Sequence, residues 1–505
     1  MHGFSLIEAP DPGTGVNVVM CCEDQQCGIL PQAESLPYAV VLTCSGAGDG
    51  ALGVVQTLGR AGIRIVVVSD QSDTTAALSR YCSRFIHLPD FTQNEASTLD
   101  HLVSLAQELG PLPVLFPTSD PDLLLVAHLE TELRRHYRLV ASSSRLLMAF
   151  TDKRRFDTLA REHCWTTPRT IVFHPGTDVR HWSHSLDYPV IIKPATPEAW
   201  TGHGVPEATS WEKALRVETE AELLRVCEQL SALGAESIVQ EYVPGPDQMH
   251  VDLHAYRDPE FGVMGCFTGR KIRIHPPGAG SGCYVESVYV QEVVDLGLQV
   301  LQDVDYHGLA NINFKVDARS GKYVLFEVNP RVSAWNILAA ECGVALPLLA
   351  YARSAGLECR PMGRQREGVR YVNLRNDIKT YLKRRKTESY PVGRYLRSLL
   401  YRPLIHQTFS LHDPKPVLSE ARRSFLAIGR SIAGVLERQV SRVVLRLSPA
   451  GQRQPNPCSD GARRRPRPGS CGGSRETARV HTPHDPTAMD NQKASEEGVE
   501  PGARV

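Results

Sequence analysis

No stretch of this 505-residue chain approaches the roughly 18 consecutive apolar residues that a membrane-spanning helix needs. No charge of one sign dominates either. The 56 Lys and Arg stand against 56 Asp and Glu, so nothing global draws the chain to nucleic acid or to an anionic membrane. The opening "MHGFSLIEAPDPGTG" lacks a basic head followed by an apolar core, which argues against a secretory signal there. The 13 Cys are odd in number and scattered. Cys21, Cys22 and Cys27 cluster, but no second pair follows at zinc-site spacing. Free thiols in a reducing, cytoplasmic setting are therefore expected rather than a disulfide framework.

What is present is alternation. Residues 1–36 show no periodicity and read as a loose extension. From Pro37 the pattern changes. "PYAVVLTC" is strand-like, "ALGVVQTLGRAG" has helical spacing, and "IRIVVVSD" is a second strand. "RFIHLPD", "LDHLVSLAQELG", "VLFPTSD" and "PDLLLVAHLETELRRH" continue the βα order to about residue 150, which predicts a parallel sheet with helices on both faces. A second unit, 151–355, opens with the helix "TDKRRFDTLAREH" and mixes strands and helices in α+β fashion. Residues 356–447 are basic and mostly helical. Residues 448–505, rich in Pro, Gly, Arg and Ser, read as a disordered tail.

The first unit carries Gly48, Gly50 and Gly53 as G-x-G-x-x-G between a strand and a helix, with Asp70 ending the next strand. That context suits a dinucleotide, with pyrophosphate at the helix N-terminus and Asp70 on a ribose hydroxyl. It equally suits a tight strand-to-helix turn that needs small residues. An NAD(P)-dependent oxidoreductase is the reading it would support.

The second unit places charge inside apolar strands. Lys193 closes "YPVIIK", where an ammonium needs an anion or an edge. Glu241 sits in "SIVQEYVPG". Lys271 and Arg273 alternate in "GRKIRIHPPGAG", so both are expected to point to one face, near a Gly-rich loop and fit for phosphate or carboxylate. In "YVLFEVNPR" (323–331), alternation puts Val324, Phe326 and Val328 on one face and Leu325, Glu327 and Asn329 on the other. Glu327 and Asn329, opposite Asn313 on the partner strand of the hairpin "NINFKVDARSGKYVLFEVNPR", are hard oxygen ligands suited to Mg²⁺. Each feature alone has a plain structural reading: an edge charge, a solvated face, a hydrogen-bonded hairpin tip.

Taken in order, "TDKRRF", "YPVIIKP", "SIVQEYVPG", "RKIR" and the 311–331 hairpin resemble the ATP-grasp superfamily over about 37–355. The hairpin is similar to the metal-binding hairpin of the carbamoyl-phosphate synthetase large subunit, and the layout to bacterial ATP-grasp carboxylate–amine ligases. "VLFPTSD" and "LHDPKP" recur in that group by resemblance. The resemblance implies a Rossmann-like pre-ATP-grasp domain (37–150), a two-lobed ATP-grasp domain (151–355, lid about 185–245), a helical C-terminal region (356–447) and a disordered tail. It implies ATP with Mg²⁺, or Mn²⁺ in its place. It assigns Lys153 and Lys193 to ATP phosphates, Glu241, Tyr242 and Val243 to adenine, and Asp247 and His250 to the ribose. Lys271 and Arg273 would hold the γ-phosphate or acyl-phosphate. Glu327, Asn329 and Asn313 would bind metal, and Arg331 would steady the transferring phosphoryl group. The chain departs from the family pattern at Asn313, where most members carry an acid, and in a lid with only Gly202 and Gly204.

The chemistry so implied is phosphorylation of a carboxylate, then displacement of phosphate by an amine. A carboxylase or carbamoyl-phosphate-type enzyme is the alternative within the superfamily, and an ATP-binding protein without catalysis is a third reading. Small-molecule carboxylate and amine partners follow, and no nucleic acid. The basic stretch 379–447 reads either as a weak peripheral membrane contact or as helices packed on the core with a solvated Arg face.

Overall fold

The computed structural model describes residues 36–44, 48–196, 199–200, 214–278, 280–387 and 390–418, with the backbone of 18–19 and 29–30. The chain divides into two units, Met1–Val435 and Leu436–Val505, and the described residues all lie in the first. The rest of the 1–36 extension, lid residues Gly202 and Gly204, the 419–447 stretch and the 448–505 tail lie outside the described residues.

Strands β1 (Val18–Val19) and β2 (Ile29–Leu30) form a small antiparallel pair. The first large element is a five-stranded parallel sheet in the order β5-β4-β3-β6-β7. Its strands are β3 (Ala39–Leu42), β4 (Ile65–Ser69), β5 (Cys82–His87), β6 (Val114–Pro117) and β7 (Arg138–Leu139). Alternate residues go to opposite faces, as the pleat requires. Val41, Val67 and Phe116 pack against α1 (Gly48–Arg60). Val40, Val66 and Leu115 pack against α2 (Glu95–Leu109), α3 (Asp120–His128) and α4 (Glu130–His136). The predicted βα order is present.

Two glycines of the fingerprint, Gly50 and Gly53, serve packing. A Cβ on Gly53 would meet the Asn336 amide oxygen at 2.5 Å, and one on Gly50 would press the Ser333 carbonyl at 3.3 Å. Asn336 Nδ2 donates to the Gly50 carbonyl at 2.9 Å. The first turns of α1 are therefore occupied by the segment around Ser333–Asn336.

Helices α5 (Ser144–Thr151) and α6 (Lys153–Glu162) lead to a four-stranded antiparallel sheet. It comprises β8 (Thr170–Phe173), β9 (Val190–Pro194), β10 (Leu215–Val217) and β11 (Ser237–Glu241), backed by α7 (Arg180–Ser183) and α8 (Glu220–Ala232).

The third sheet has seven strands in the order β16-β15-β12-β13-β14-β17-β18. These are β12 (His250–Asp258), β13 (Gly262–His275), β14 (Ser281–Ser287), β15 (Gly308–Val316), β16 (Tyr323–Asn329), β17 (Arg370–Val372) and β18 (Leu404–His406). Beneath it, α9 (Gln291–Asp303) buries Val293 and Leu301 with Leu253, Ile312 and Leu325. Helices α10 (Asn336–Glu341) and α11 (Leu346–Ser354) join this sheet to the first one.

Two β-bulges correct the expected facing of residues. Lys271 pairs with Val285 and Arg273 with Tyr284, so two residues on β13 advance against one on β14. Adjacent residues on a strand point to opposite faces. Lys271 and Arg273 therefore face apart, not together. On β16, Glu327 pairs with Asn313 and Leu325 with Phe314, which leaves Phe326 as the extra residue. Leu325 joins the core with Val328, and Phe326 turns to the opposite side with Glu327.

The basic C-terminal region is helical in α12 (Leu374–Thr387) and α13 (Val392–Leu399), but it also adds β17 and β18 to the large sheet. Beyond them "LHDPKP" reaches back to the parallel-sheet region. Asp413, fully buried, accepts from Ser79 Oγ at 2.6 Å, the Arg80 amide at 2.9 Å and Gln56 Nε2 at 3.1 Å. Among the described residues no helix is long and apolar enough to cross a membrane.

Candidate functional site

A cleft lies between the four-stranded sheet, α6 and the β15–β16 hairpin. Lys153, Lys193, Gln240, Phe326, Glu327 and Asn329 line it. The elements explain each position. Asp152 caps α6 by accepting from the Arg154 amide at 2.9 Å, which sets Lys153 at the first helical position. On β11, Val239 enters the core and the next residue, Gln240, faces the cleft. Lys193 sits opposite on β9 and donates to Gln240 Oε1 at 2.9 Å. Its ammonium lies 5.5 Å from the Phe326 ring centre. Enclosure lowers the Lys193 pKa to about 8, with Glu327 opposing that shift and Lys153 adding to it.

Across the large sheet two polar rows continue the cleft wall. One runs Asp252–Asn313–Glu327 and the other His254–Asn311–Asn329, all cross-strand neighbours. Their strand-mates Leu253, Ala310 and Ile312 face the core below. Lys271 reaches this wall, pairing with Asp252 at 2.9 Å and donating to Asn313 Oδ1 at 2.7 Å. Burial raises the Asp252 pKa to about 6 despite Lys271. Burial lowers His254 to about 3 and His250 to about 2, with Lys271 reinforcing both. Enclosure pushes Glu327 up, but Lys193, the Asn329 amide, Lys271 and Lys153 outweigh it, so its pKa lies below the usual range. Four buried atoms in the rows have no hydrogen-bond partner among the described residues: Asp252 Oδ1, His254 Nε2, Asn311 Oδ1 and Asn313 Nδ2. Buried polar groups left unpaired are uncommon outside sites that take a ligand or water.

The other residues named from the sequence divide. His250 lies against Phe326, ring centres 5.8 Å apart, beside the cleft. Arg331 meets Asp120 Oδ1 at 2.6 Å and Asn329 Oδ1 at 3.4 Å, tying the hairpin end to the "VLFPTSD" loop. Glu241 turns away from the cleft and accepts from the Asp187 amide at 3.2 Å. Tyr242 lies under Arg216 and Lys315, and the Val243 carbonyl accepts from Lys315 Nζ at 2.8 Å. Asp247 pairs with Arg384 of α12 at 2.9 Å. The bulge removes Arg273 from the wall. Its guanidinium lies in a bidentate pair with Asp377 of α12, at 2.6 and 2.8 Å, between the Tyr284 and Tyr395 rings.

As a metal site the wall is lean. Glu327 and Asn329 stand side by side, the amide donating to the carboxylate at 3.2 Å. Asn313 gives its oxygen to Lys271. Among the described residues no group of three His, Cys, Asp or Glu is placed to hold an ion. One carboxylate and one amide oxygen fit Mg²⁺, which keeps few protein ligands and takes the rest from phosphates and water. Gln240, Phe326, Asp252 and His254 belong to the wall but were not singled out from the sequence. The alternation H-x-D-x-H in "HVDLHAY" was the available signal.

The same fold occurs in a solved N5-carboxyaminoimidazole ribonucleotide synthetase bound to ADP, with a TM-score of 0.51 at 14% identity over 66% of this chain and 81% of that one. The fold is that of the ATP-grasp superfamily. Within it, the chain is related to carbamoyl-phosphate synthetase-like and carboxylate–amine ligase enzymes. Residues 282–355 match the family "Carbamoyl-phosphate synthase L chain, ATP binding domain", a stretch that holds Asn313, Glu327, Asn329 and Arg331. The carbamoyl phosphate synthase large chain of Thermus thermophilus is 24% identical over 404 residues, 76% of this chain and 36% of that protein. D-aspartate ligase of Enterococcus faecium is 27% identical over 214 residues, 41% of this chain and 50% of that protein. The chain thus spans between about a third and a half of the length of these relatives.

Proposed function

We propose that the chain is an ATP-dependent ligase that phosphorylates a substrate carboxylate and couples the acyl-phosphate to an amine, forming an amide. The observation that carries this reading is the meeting of Lys153, Lys193, Glu327 and Asn329 in one cleft beside polar rows whose bonding is incomplete. Two lysines suit phosphate oxygens. Lys193 is held by Gln240, which fixes its aim without neutralising it. Glu327 and Asn329 would hold Mg²⁺, which supplies charge neutralisation at the phosphates when bound. Arg331, steadied by Asp120, stands next to Asn329 and would face the moving phosphoryl group.

The chain's own groups supply positioning and electrostatics, so no side-chain nucleophile is required. The carboxylate attacks the γ-phosphorus in line and ADP leaves. The amine then adds to the acyl carbon, phosphate departs and the amine loses a proton. Lys271 would hold the acyl-phosphate or its precursor, because it reaches the polar rows from β13. Arg273 has no part in this reading. Adenine would lie against the Glu241–Val243 segment through backbone groups. The D-aspartate ligase relative favours amide formation over carboxylation.

Isothermal titration with Mg-ATP tests the first half, and ADP release screened across amino acids and other carboxylate–amine pairs tests the second. Binding with pair-dependent ADP release is expected. Binding with release that depends on bicarbonate alone would favour a carboxylase instead. Binding without release under any pair would leave an ATP-binding protein, and tight NAD(P) binding without ATP binding would replace the reading with an oxidoreductase.

A further inference from the structure

The inner face of α12 is buried. Asp377 and Thr380 are completely buried, and the Tyr381 ring stacks on Tyr395 of α13 with centres 4.3 Å apart. The outer face differs. Leu374, Ile378 and Leu382 recur every four residues and are 43%, 41% and 52% exposed. On α13 the same spacing leaves Val392, Leu396 and, just past its end, Leu400 exposed by 53%, 53% and 73%. Apolar side chains at i, i+4 and i+8 form a continuous helical stripe, normally the stripe a helix buries. Here two such stripes lie open on helices joined through their tyrosines. Exposed Arg375, Lys379, Lys383 and Lys386 flank the first, and Arg394 and Arg397 the second.

We propose that this outer face of α12 and α13 is a docking surface for an anionic lipid bilayer. The inference goes beyond the ligase reading and does not rest on it. Charge decides between occupants. Across 374–402, nine Lys and Arg stand against two Asp and Glu, in a chain that is neutral overall. A second copy of the face would bring the same sign. So would residues 419–447, where six Arg stand against two Glu. Both are repelled rather than drawn to cover the stripes. Nucleic acid would satisfy the cations but leave Leu, Ile and Val in water, because aliphatic side chains give bases nothing to stack on. An anionic membrane surface satisfies both, taking the apolar stripes among its acyl chains and the cations at its headgroups.

The test uses the full chain in co-sedimentation with phosphatidylcholine vesicles, alone or with about a third phosphatidylglycerol. Pelleting with the mixed vesicles only, declining with added salt, is expected. Leu382→Asp with Leu396→Asp should lower the partition at least about tenfold. Lys379→Glu with Lys383→Glu should do the same. Thermal unfolding of both variants should match the parent. If the aspartates prevent folding, serines at the same two positions carry the apolar arm. No pelleting with mixed vesicles overturns the proposal. So does parental binding by either variant, since the surface would then be elsewhere or purely electrostatic. Binding to duplex DNA in place of vesicles, lost on charge reversal and kept with the aspartates, would assign the face to nucleic acid and likewise overturn it.

Discussion

The cleft and the seam beneath α12 both enclose charge, and they complete it differently. In the seam Arg273 meets Asp377 through two bonds, sandwiched by tyrosine rings and almost wholly buried. In the cleft, Lys271 divides itself between Asp252 and Asn313, Lys193 holds one amide oxygen, and four neighbouring polar atoms have no bond. Lys271 and Arg273 are two residues apart on one strand. A single bulged residue sends one cation to the unfinished wall and the other to the finished seam. A charge pair closed on itself fixes a structure, whereas an array left incomplete is ready for something else to complete it.

The comparison can be broken from the cleft side first. Lys193→Ala and Glu327→Ala should each lower substrate-dependent ADP release by about 10³ or more while changing unfolding free energy by less than about 1 kcal/mol. Normal turnover in both variants would remove the cleft from the chemistry. The seam should show the reverse. Asp377→Ala leaves Arg273 buried and unpaired, and urea unfolding should register a loss of about 3–5 kcal/mol. Replacing both partners, Arg273→Leu with Asp377→Leu, should recover most of that loss. A double variant as unstable as the single one would mean that the pair itself is favourable.

The smallest effect concerns protons. Burial holds Lys193 near 8 against its ordinary 10.5. Its charge fades as pH rises through 8, so Mg-ATP affinity should fall by up to about tenfold per pH unit above that point. Lys193→Arg should flatten the profile. The free protein should move the other way. Between about 8 and 10.5 the unfolded chain binds the extra proton, so stability rises with pH across that window. A flat melting profile there would show that the ammonium is better solvated than its surroundings imply.

Much of this was legible in the sequence. The parallel sheet follows from apolar runs broken at regular turns, and all four of its long strands lie where alternation put them. The cleft wall was legible through Lys193, Glu327 and Asn329, two charges and an amide that are out of place in apolar strands. What escaped depends on pairing rather than on composition. The bulges at Ile272 and Phe326 invert the facing of Arg273, Leu325 and Phe326, and nothing local marks them. Strands β17 and β18 are three residues each and exist only because β14 offers an edge to β17. The Gly48–Gly53 motif left a phosphate loop and a packed turn both open, because a partner 286 residues from Gly50, Asn336, is invisible to any short pattern.

The Asp413 clasp bears on how the chain is made. Ser79 waits 334 residues for its carboxylate partner, and Gln56 waits 357. At ribosomal speeds of about 5–20 residues per second, the first sheet emerges tens of seconds before the segment that seals it. During that interval its α1 face also lacks Asn336 and α11, so it must persist half-covered or be shielded by a chaperone. A nascent chain stalled before residue 413 would therefore hold a formed sheet with an unsealed flank. Limited proteolysis of such stalled chains should cut near residues 79–80, where Asp413 holds the Ser79 hydroxyl and the Arg80 amide in the finished protein.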